Sequence, residues 1–557
     1  MIHRLLLLPL LLLVAMVMMS CEKKHQDTRR EKVDMLVVNA TIYTVDSAFA
    51  VAEAMAVKNG LIVATGSRKD LEQRYDAQNV YDAGGHFIFP GFYDAHCHFV
   101  GYAQTLAQAD LVGTTSPDEV IARLKAFREQ NSGLSWLLGR GWDQNDWESK
   151  AFPDRRLLDE AFPDIPVFLT RIDGHAAWVN TKALQEAGLL QAKKVEGGSV
   201  RLRPDGSPSG ILIDNAMDLV KRQIPPMSRE SLTKLLMKAE QNCFSVGLTT
   251  LSDAGLPLEH ILLLDSLHKA GSLRMRLYVM ASATPENLAF FQKNGRIKTD
   301  RLHVRSFKIY ADGALGSRGA FLLEPYHDAP TERGFLLKSE AALDSLYSQI
   351  AAMDFQANTH CIGDAANRTV LRLYAKYLKG GERWRIEHAQ VVQPQDLSYF
   401  RTHGIIPSVQ PTHATSDMYW AENRLGKERI AYAYAYKNLL EAAGLLALGT
   451  DFPVEQISPF LTFYAALSRK DLNGFPPEGF LPEQALSRRD ILKGMTIWAA
   501  YANFEEKERG SLEAGKQADF IVVDRDLMKV EVAAIPEAKV LATFIAGEQV
   551  YDAKGKK

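Results

Sequence analysis

Five apolar runs constrain the fold most strongly: VGLTTLSDAG (246–255), VRSFKIYADG (304–313), MDFQANTHCIGD (353–364), RWRIEHAQVV (383–392) and LLALGTDFP (445–453). Each is short and breaks off in a polar or glycine-bearing turn, as a strand does. Helical stretches announce themselves by their caps. Ser116-Pro117-Asp118-Glu119 is a capping box with proline at the first helical position, followed by Val120, Ile121, Leu124 and Phe127 on one face; Thr284-Pro285-Glu286 opens another helix in the same way. Repeated strand–helix units imply a parallel sheet. So many of them favour an α/β fold of the (β/α)8 TIM-barrel type over an open doubly wound sheet, with chemistry at the carboxyl ends of the strands.

The two ends of the chain read differently. MLVVNATIYTVD and AMAVKNGLIVATG, with Asn59-Gly60 as a two-residue hairpin signal, are β-rich; so are GSLEAGKQADFIVVDRDL and KVLATFIAGEQVYDAKG near the C-terminus. The expectation is an accessory β-sandwich domain built from both ends, 34–88 and 501–557, around a barrel spanning 89–500. The roughly 200 residues between His98 and Lys308 exceed what two more strand–helix units need, since a whole barrel takes about 250. An insertion within about 113–226 is therefore expected to cap the site.

The N-terminus carries its own signal. Arg4 precedes an unbroken apolar run from Leu5 to Met19, then Ser20-Cys21 and the polar stretch EKKHQDTRRE. The run has the length of a signal-peptide core, whereas a membrane-spanning helix wants about 20 apolar residues. The expectation is a signal peptide over 1–21 and a polar tether over 22–33. Cys21 resembles the lipidated cysteine of bacterial lipoproteins, which implies export to the periplasm or outer membrane, with the membrane as partner only through that anchor; plain cleavage and an uncleaved anchor are the alternatives. With Cys21 lipidated, Cys97, Cys243 and Cys361 remain, an odd and widely spaced set that argues against a disulfide framework.

Lys and Arg total 65 against 67 Asp and Glu, a net charge of −2, and no basic stripe with interleaved aromatics occurs. Nucleic acid is thereby excluded as an expected partner; a small-molecule substrate remains, and a homodimer stays open. GSLEAGK (510–516) has the spacing of a phosphate-binding loop, but Gln517 stands where Ser or Thr should hold magnesium.

In DAHCHF (94–99) strand alternation turns His96 and His98 to one face and Cys97 to the other. Two imidazoles at a strand end suit a metal. Other strand ends add Lys308, His360, His388 and Asp451, a set hard to assemble by accident. An ion pair with Asp312 is the alternative role for Lys308. Cys361 follows His360 as Cys97 follows His96, so both thiols are expected to face the apolar layer between strands and helices.

The segments PGFYDAHCHF, DGHAAWVN, KIYADGALGSR, THCIGDAAN, IEHAQ, GTDFPV and GSLEAGKQADFIVVD resemble those of the amidohydrolase superfamily, in particular the amidohydrolase 3 branch that includes N-substituted formamide deformylase-like proteins. The resemblance runs from about Met35 to the C-terminus. It implies one or two divalent ions, usually Zn2+: His96 and His98 hold the first, Lys308 becomes a carboxylated bridging ligand, His360 and His388 hold the second, and Asp451 ligates and shuttles protons. The implied function is a metal-dependent hydrolase acting on C–N bonds other than peptide bonds, of amide or N-formyl type. A deaminase or lactonase on the same barrel, and a solute-binding surface lipoprotein, are the alternatives. His175 and Arg318 match family segments near the substrate. Trp142 and Asp143, in GRGWDQNDW (139–147), are expected to form a specificity wall over the barrel mouth.

Overall fold

A computed structural model describes residues 30–555 apart from Ser132 and Ala192. The expected signal peptide, Cys21 and the expected tether up to residue 29 lie outside the described residues. Among those described, no helix is long and apolar enough to cross a membrane.

Eight strands, Phe92–Cys97, Leu248–Leu256, Arg276–Ser282, Leu302–Tyr310, Gln356–His360, Arg385–Glu387, Ile406–Val409 and Ala447–Leu448, lie side by side in chain order. Every neighbouring pair in this series is parallel. The first strand and the segment after the last meet through Asp451 N–H to His96 O, at 2.7 Å, and His98 N–H to Phe452 O, at 2.8 Å. Asp94 reinforces this seam by accepting from Thr450 N and Thr450 Oγ1. Gly449 permits it: a Cβ there would lie 2.5 Å from His96 N. The result is a nearly closed (β/α)8 barrel.

Crossover helices cover the barrel, among them Arg229–Ser245, Leu258–Lys269, Pro285–Asn294, Glu340–Ala352 and Asp364–Tyr374. Thr284 caps its helix by accepting from Asn287 N, as its spacing predicts. Ser116 likewise accepts from Glu119 N, but the box is not reciprocal, because Glu119 takes the N–H of Thr115 instead. Cys97 and Cys361 are fully buried in the apolar layer, as strand parity requires, and Cys97, Cys243 and Cys361 are all unpaired. Beneath the barrel, helix Ile497–Ala502 and the turn after it bring Glu505 and Arg509 under the amino ends of the strands, next to Tyr93 and His303.

Both ends of the chain share one six-stranded sheet: Phe520–Val523 pairs antiparallel with Phe87–Pro90 and with Val540–Ile545. A four-stranded sheet of Glu31–Val38, Ala54–Lys58, Leu61–Gly66 and Tyr75–Asp82 accompanies it. Val37, Met55, Ile62, Ile88, Phe520 and Phe544 are buried in one apolar cluster drawn from the two sheets. Asn59 and Gly60 both have positive φ, 52° and 76°, as the tight hairpin demands. A third sheet, six strands between Ala109 and Asp214, is inserted after the first barrel strand.

Candidate metal centre

The carboxyl ends of the strands open into a cavity of about 720 Å³, lined by His98, Lys308, His360, His388, His413 and Asp451 among others. Its chemistry is fixed by how the imidazoles are held. His96 Nδ1 lies 2.5 Å from Glu387 Oε2, His98 Nδ1 lies 2.8 Å from the carbonyl of Ala254, and His388 Nδ1 lies 2.7 Å from Gln410 Oε1. These partners accept, so each Nδ1 carries the proton and each Nε2 is unprotonated.

The lone pairs converge on a carboxylate. His98 Nε2 is 3.1 Å and His96 Nε2 3.7 Å from Asp451 Oδ1, and His413 Nε2 is 3.6 Å from Oδ2. Asp451 Oδ1 and His413 Nε2 are nonetheless buried without a hydrogen-bond partner. Acceptors facing acceptors at this range repel unless a cation sits between them, so the residues present fit a divalent ion. Two groups have suitable geometry: His96, His98 and Asp451, and His388, His413 and Asp451.

Burial pushes His96 down to about 4, with Lys308 adding to the effect, and holds His388 and His360 well below the usual imidazole range. Neutral imidazoles and an ionised carboxylate are the forms that ligate metal. The backbone is strained at this point, since His388 and Asp451 have φ of 72° and 63°; left-handed residues of this kind cost roughly 1–2 kcal/mol.

Lys308 lies in the lumen, with Nζ 2.9 Å from His96 Nε2. Burial lowers it to about 8, against the pull of Glu387 and Asp451. Pairing with Asp312 is overturned: Asp312 instead accepts the backbone N–H groups of Phe321, Ile362 and Gly363. His360 is buried beside His388, ring centroids 4.6 Å apart, but its Nε2 points to the carbonyl of Gly313 at 3.4 Å. His413 stands in the ligand group that excludes His360.

Of the expected substrate residues, His175 and Asp143 line the cavity. His175 Nδ1 is 2.6 Å from Asp214 Oδ1; burial works against its charge, but this carboxylate prevails and raises its pKa. Asp143 is ion-paired with Arg171. Trp142 is a correction. Its indole is fully buried against Trp147 and Trp178, with Nε1 donating to Leu169 O, because it lies inward in the strand Leu137–Trp142 of the inserted sheet. Arg318 is a second correction: it pairs with Asp328 and lines a separate cavity of about 320 Å³ with Arg201 and Glu332.

Glu387, Gln410 and His413 were not anticipated. Glu387 precedes His388, and alternation would turn the two apart; the left-handed φ at His388 brings both to the site. His413, in QPTHATSD, follows the seventh strand as the other ligands follow theirs, a positional signal that could have found it.

Comparison with known proteins agrees with this geometry. The chain is 31% identical over 523 residues to "Putative amidohydrolase YtcJ" of Bacillus subtilis (strain 168), covering 92% of this chain and 98% of that one. It is 25% identical over 549 residues to "N-substituted formamide deformylase" of Arthrobacter pascens, covering 94% and 99%. Among solved structures, "an uncharacterized metal-dependent hydrolase" from Pyrococcus horikoshii OT3 superposes with a TM-score of 0.73 at 27% identity, over 89% of this chain and 99% of that one. The model of the Amidohydrolase family matches residues 79–551, and the chain belongs to that family of metal-dependent hydrolases.

Proposed function

We propose that the chain is an exported, zinc-dependent amidohydrolase that cleaves a C–N bond of amide or N-formyl type, with Asp451 as its proton carrier. One observation supports this above all: the unprotonated Nε2 atoms of His96, His98 and His388, with His413 Nε2, gathered around a buried Asp451. A divalent ion held by these side chains would supply Lewis acidity and lower the pKa of water from about 15.7 to about 7. Asp451 accepts the proton of the attacking water and returns it to the departing nitrogen. His175, its charge favoured by Asp214, donates to the carbonyl oxygen of the substrate.

Lys308 deepens this reading. An amine lowered to about 8 has a neutral fraction near neutral pH that can add CO2, releasing a proton and leaving an anionic carboxylated side chain. Such an anion is a ligand where an ammonium is not. Cys21, as the lipid-anchored residue, places the enzyme at the outside face of a membrane.

The test is direct. Purified protein should contain about one to two divalent ions per chain, and Asp451→Asn should keep metal while hydrolysing no member of a panel of N-acyl and N-formyl amines. Turnover by metal-stripped protein would overturn the assignment. A carbamate carbon signal from 13C-bicarbonate, absent in Lys308→Ala, tests the carboxylated lysine. Movement of Cys21→Ser from the membrane to the soluble fraction tests the anchor.

A further inference from the structure

The inserted sheet leaves two cations in the cavity without carboxylate partners. Arg140, on Leu137–Trp142, and Lys221, at the end of helix Met217–Lys221, both line the space that holds His98, His388 and Asp451. Among the described residues neither has a carboxylate oxygen within 4.0 Å. The other cationic groups that the insertion contributes are neutralised: Arg171 pairs with Asp143 and Asp173, and His175 with Asp214. Asp218, on the same helix as Lys221, favours its charge but does not touch it.

Arg140 is the better-defined of the two. Nη2 donates to Ile172 O at 2.9 Å, while Nε is buried with no partner. Burial presses its pKa below the ordinary guanidinium value, and Asp451 and Asp173 act on it only at a distance. A half-buried guanidinium that spends one of its five donors on a carbonyl and lines a substrate cavity has donors to spare for an acceptor there. A carboxylate supplies what is missing, since its two oxygens match the guanidinium fork.

We propose that Arg140, with Lys221 beside it, forms an anion subsite that receives a carboxylate of the substrate, so that the amides hydrolysed are N-acyl or N-formyl amino acids rather than neutral amides. This rests on the amide-hydrolase reading above and adds the substrate class. The insertion thereby selects, while the barrel reacts. Arg140 reaches the substrate at a point remote from the scissile bond, and binding energy gained there orients the acyl group over Asp451.

The experiment compares N-acetylphenylalanine, as each enantiomer, with N-acetyl-2-phenylethylamine, which is the same amide without the carboxylate. Each is titrated calorimetrically into metal-loaded Asp451→Asn, which binds without turnover. The expected result is that one enantiomer of the acid binds at least about tenfold more tightly than the neutral amide. Arg140→Met should erase that preference, and Arg140→Lys, which keeps the charge and guards against a misfolded variant, should restore part of it. Equal affinities, a preference that survives Arg140→Met, or no measurable binding of the acid overturns the subsite. The underlying reading fails separately: wild-type protein that binds the acid but hydrolyses no amide sinks the reaction and leaves the subsite standing. Hydrolysis of neutral amides alone does the reverse.

Discussion

Each end of the barrel buries a cluster of ionisable groups, and the two clusters are built on opposite plans. At the amino ends of the strands, Glu505 is surrounded by donors: Tyr93 Oη at 3.0 Å, His303 Nδ1 at 3.2 Å, Lys298 Nζ at 3.4 Å and Arg509 Nη1 at 3.8 Å. Asp519 nearby accepts twice from Arg276 and once from Ala546 N. At the carboxyl ends Asp451 is surrounded by lone pairs, and its Oδ1 has no hydrogen-bond partner. The first cluster is complete as protein alone; the second is complete only with an ion. A buried polar cluster is thus diagnostic of function by what it lacks rather than by what it contains.

The sharpest way to break this contrast is Asp451→Asn. Turnover should fall by roughly 10³-fold or more, while the melting temperature of the metal-free protein stays level or rises, because an uncompensated carboxylate has been neutralised. A large loss of apo stability, seen by calorimetry, would mean that Asp451 belongs to a structural cluster like that of Glu505. The mirror experiment is Glu505→Gln, which should cost on the order of 3–5 kcal/mol in denaturant unfolding by stranding its buried cations, with metal content unchanged.

Removing metal should act on one cluster only. A chelator should lower the wild-type melting temperature, as expected for loss of a ligand worth about 2.7 kcal/mol at a hundredfold excess over its Kd. The same shift is expected in Glu505→Gln, and a smaller one in a His96→Ala, His98→Ala double variant, which keeps only the group of His388, His413 and Asp451. Acid should act on the other. Burial opposes ionisation of Glu505, but Arg509, His303 and Lys298 outweigh it and depress its pKa well below the usual 4.5. Its stabilising contribution is therefore full above about 4.5 and fades as pH falls towards the depressed folded value. The gap in stability between wild type and Glu505→Gln should be constant near neutrality and shrink on acidification below that point; a gap that grew would reverse the sign of the argument. The smallest effect is reserved for Cys97→Ala. Its Sγ lies in the apolar layer, 3.6 Å from Ser252 O, so the variant should keep its metal and most of its activity and lose about 1 kcal/mol.

The architecture was legible because it is written in period and punctuation. Strand runs ending at His360, His388 and Asp451, and the alternation through His96, Cys97 and His98, specify a parallel barrel and its reactive end without tertiary information. What was not legible depends on local departures from those rules. Alternation misplaces Glu387 because His388 adopts a left-handed φ, and composition misplaces Trp142, whose polar neighbours in GRGWDQNDW conceal a strand facing the core of the insertion. His413 lay at a strand end but in a segment that reads as the start of a helix, and Arg140 gains its meaning only from partners that are missing in space.

The seam that closes the barrel has a consequence for how the protein matures. Thr450 and Asp94, which clasp the first strand to the last, are 356 residues apart in sequence, and the candidate ligands His96, His98 and Asp451 straddle the same join. On the ribosome the two histidines are made early and wait through almost the entire synthesis of the barrel for their carboxylate. Any truncated product that stops before Ala447 has lost both the clasp and the third ligand, and cannot assemble this three-residue site. An ion bound at this join would therefore register that the last strand has arrived and docked.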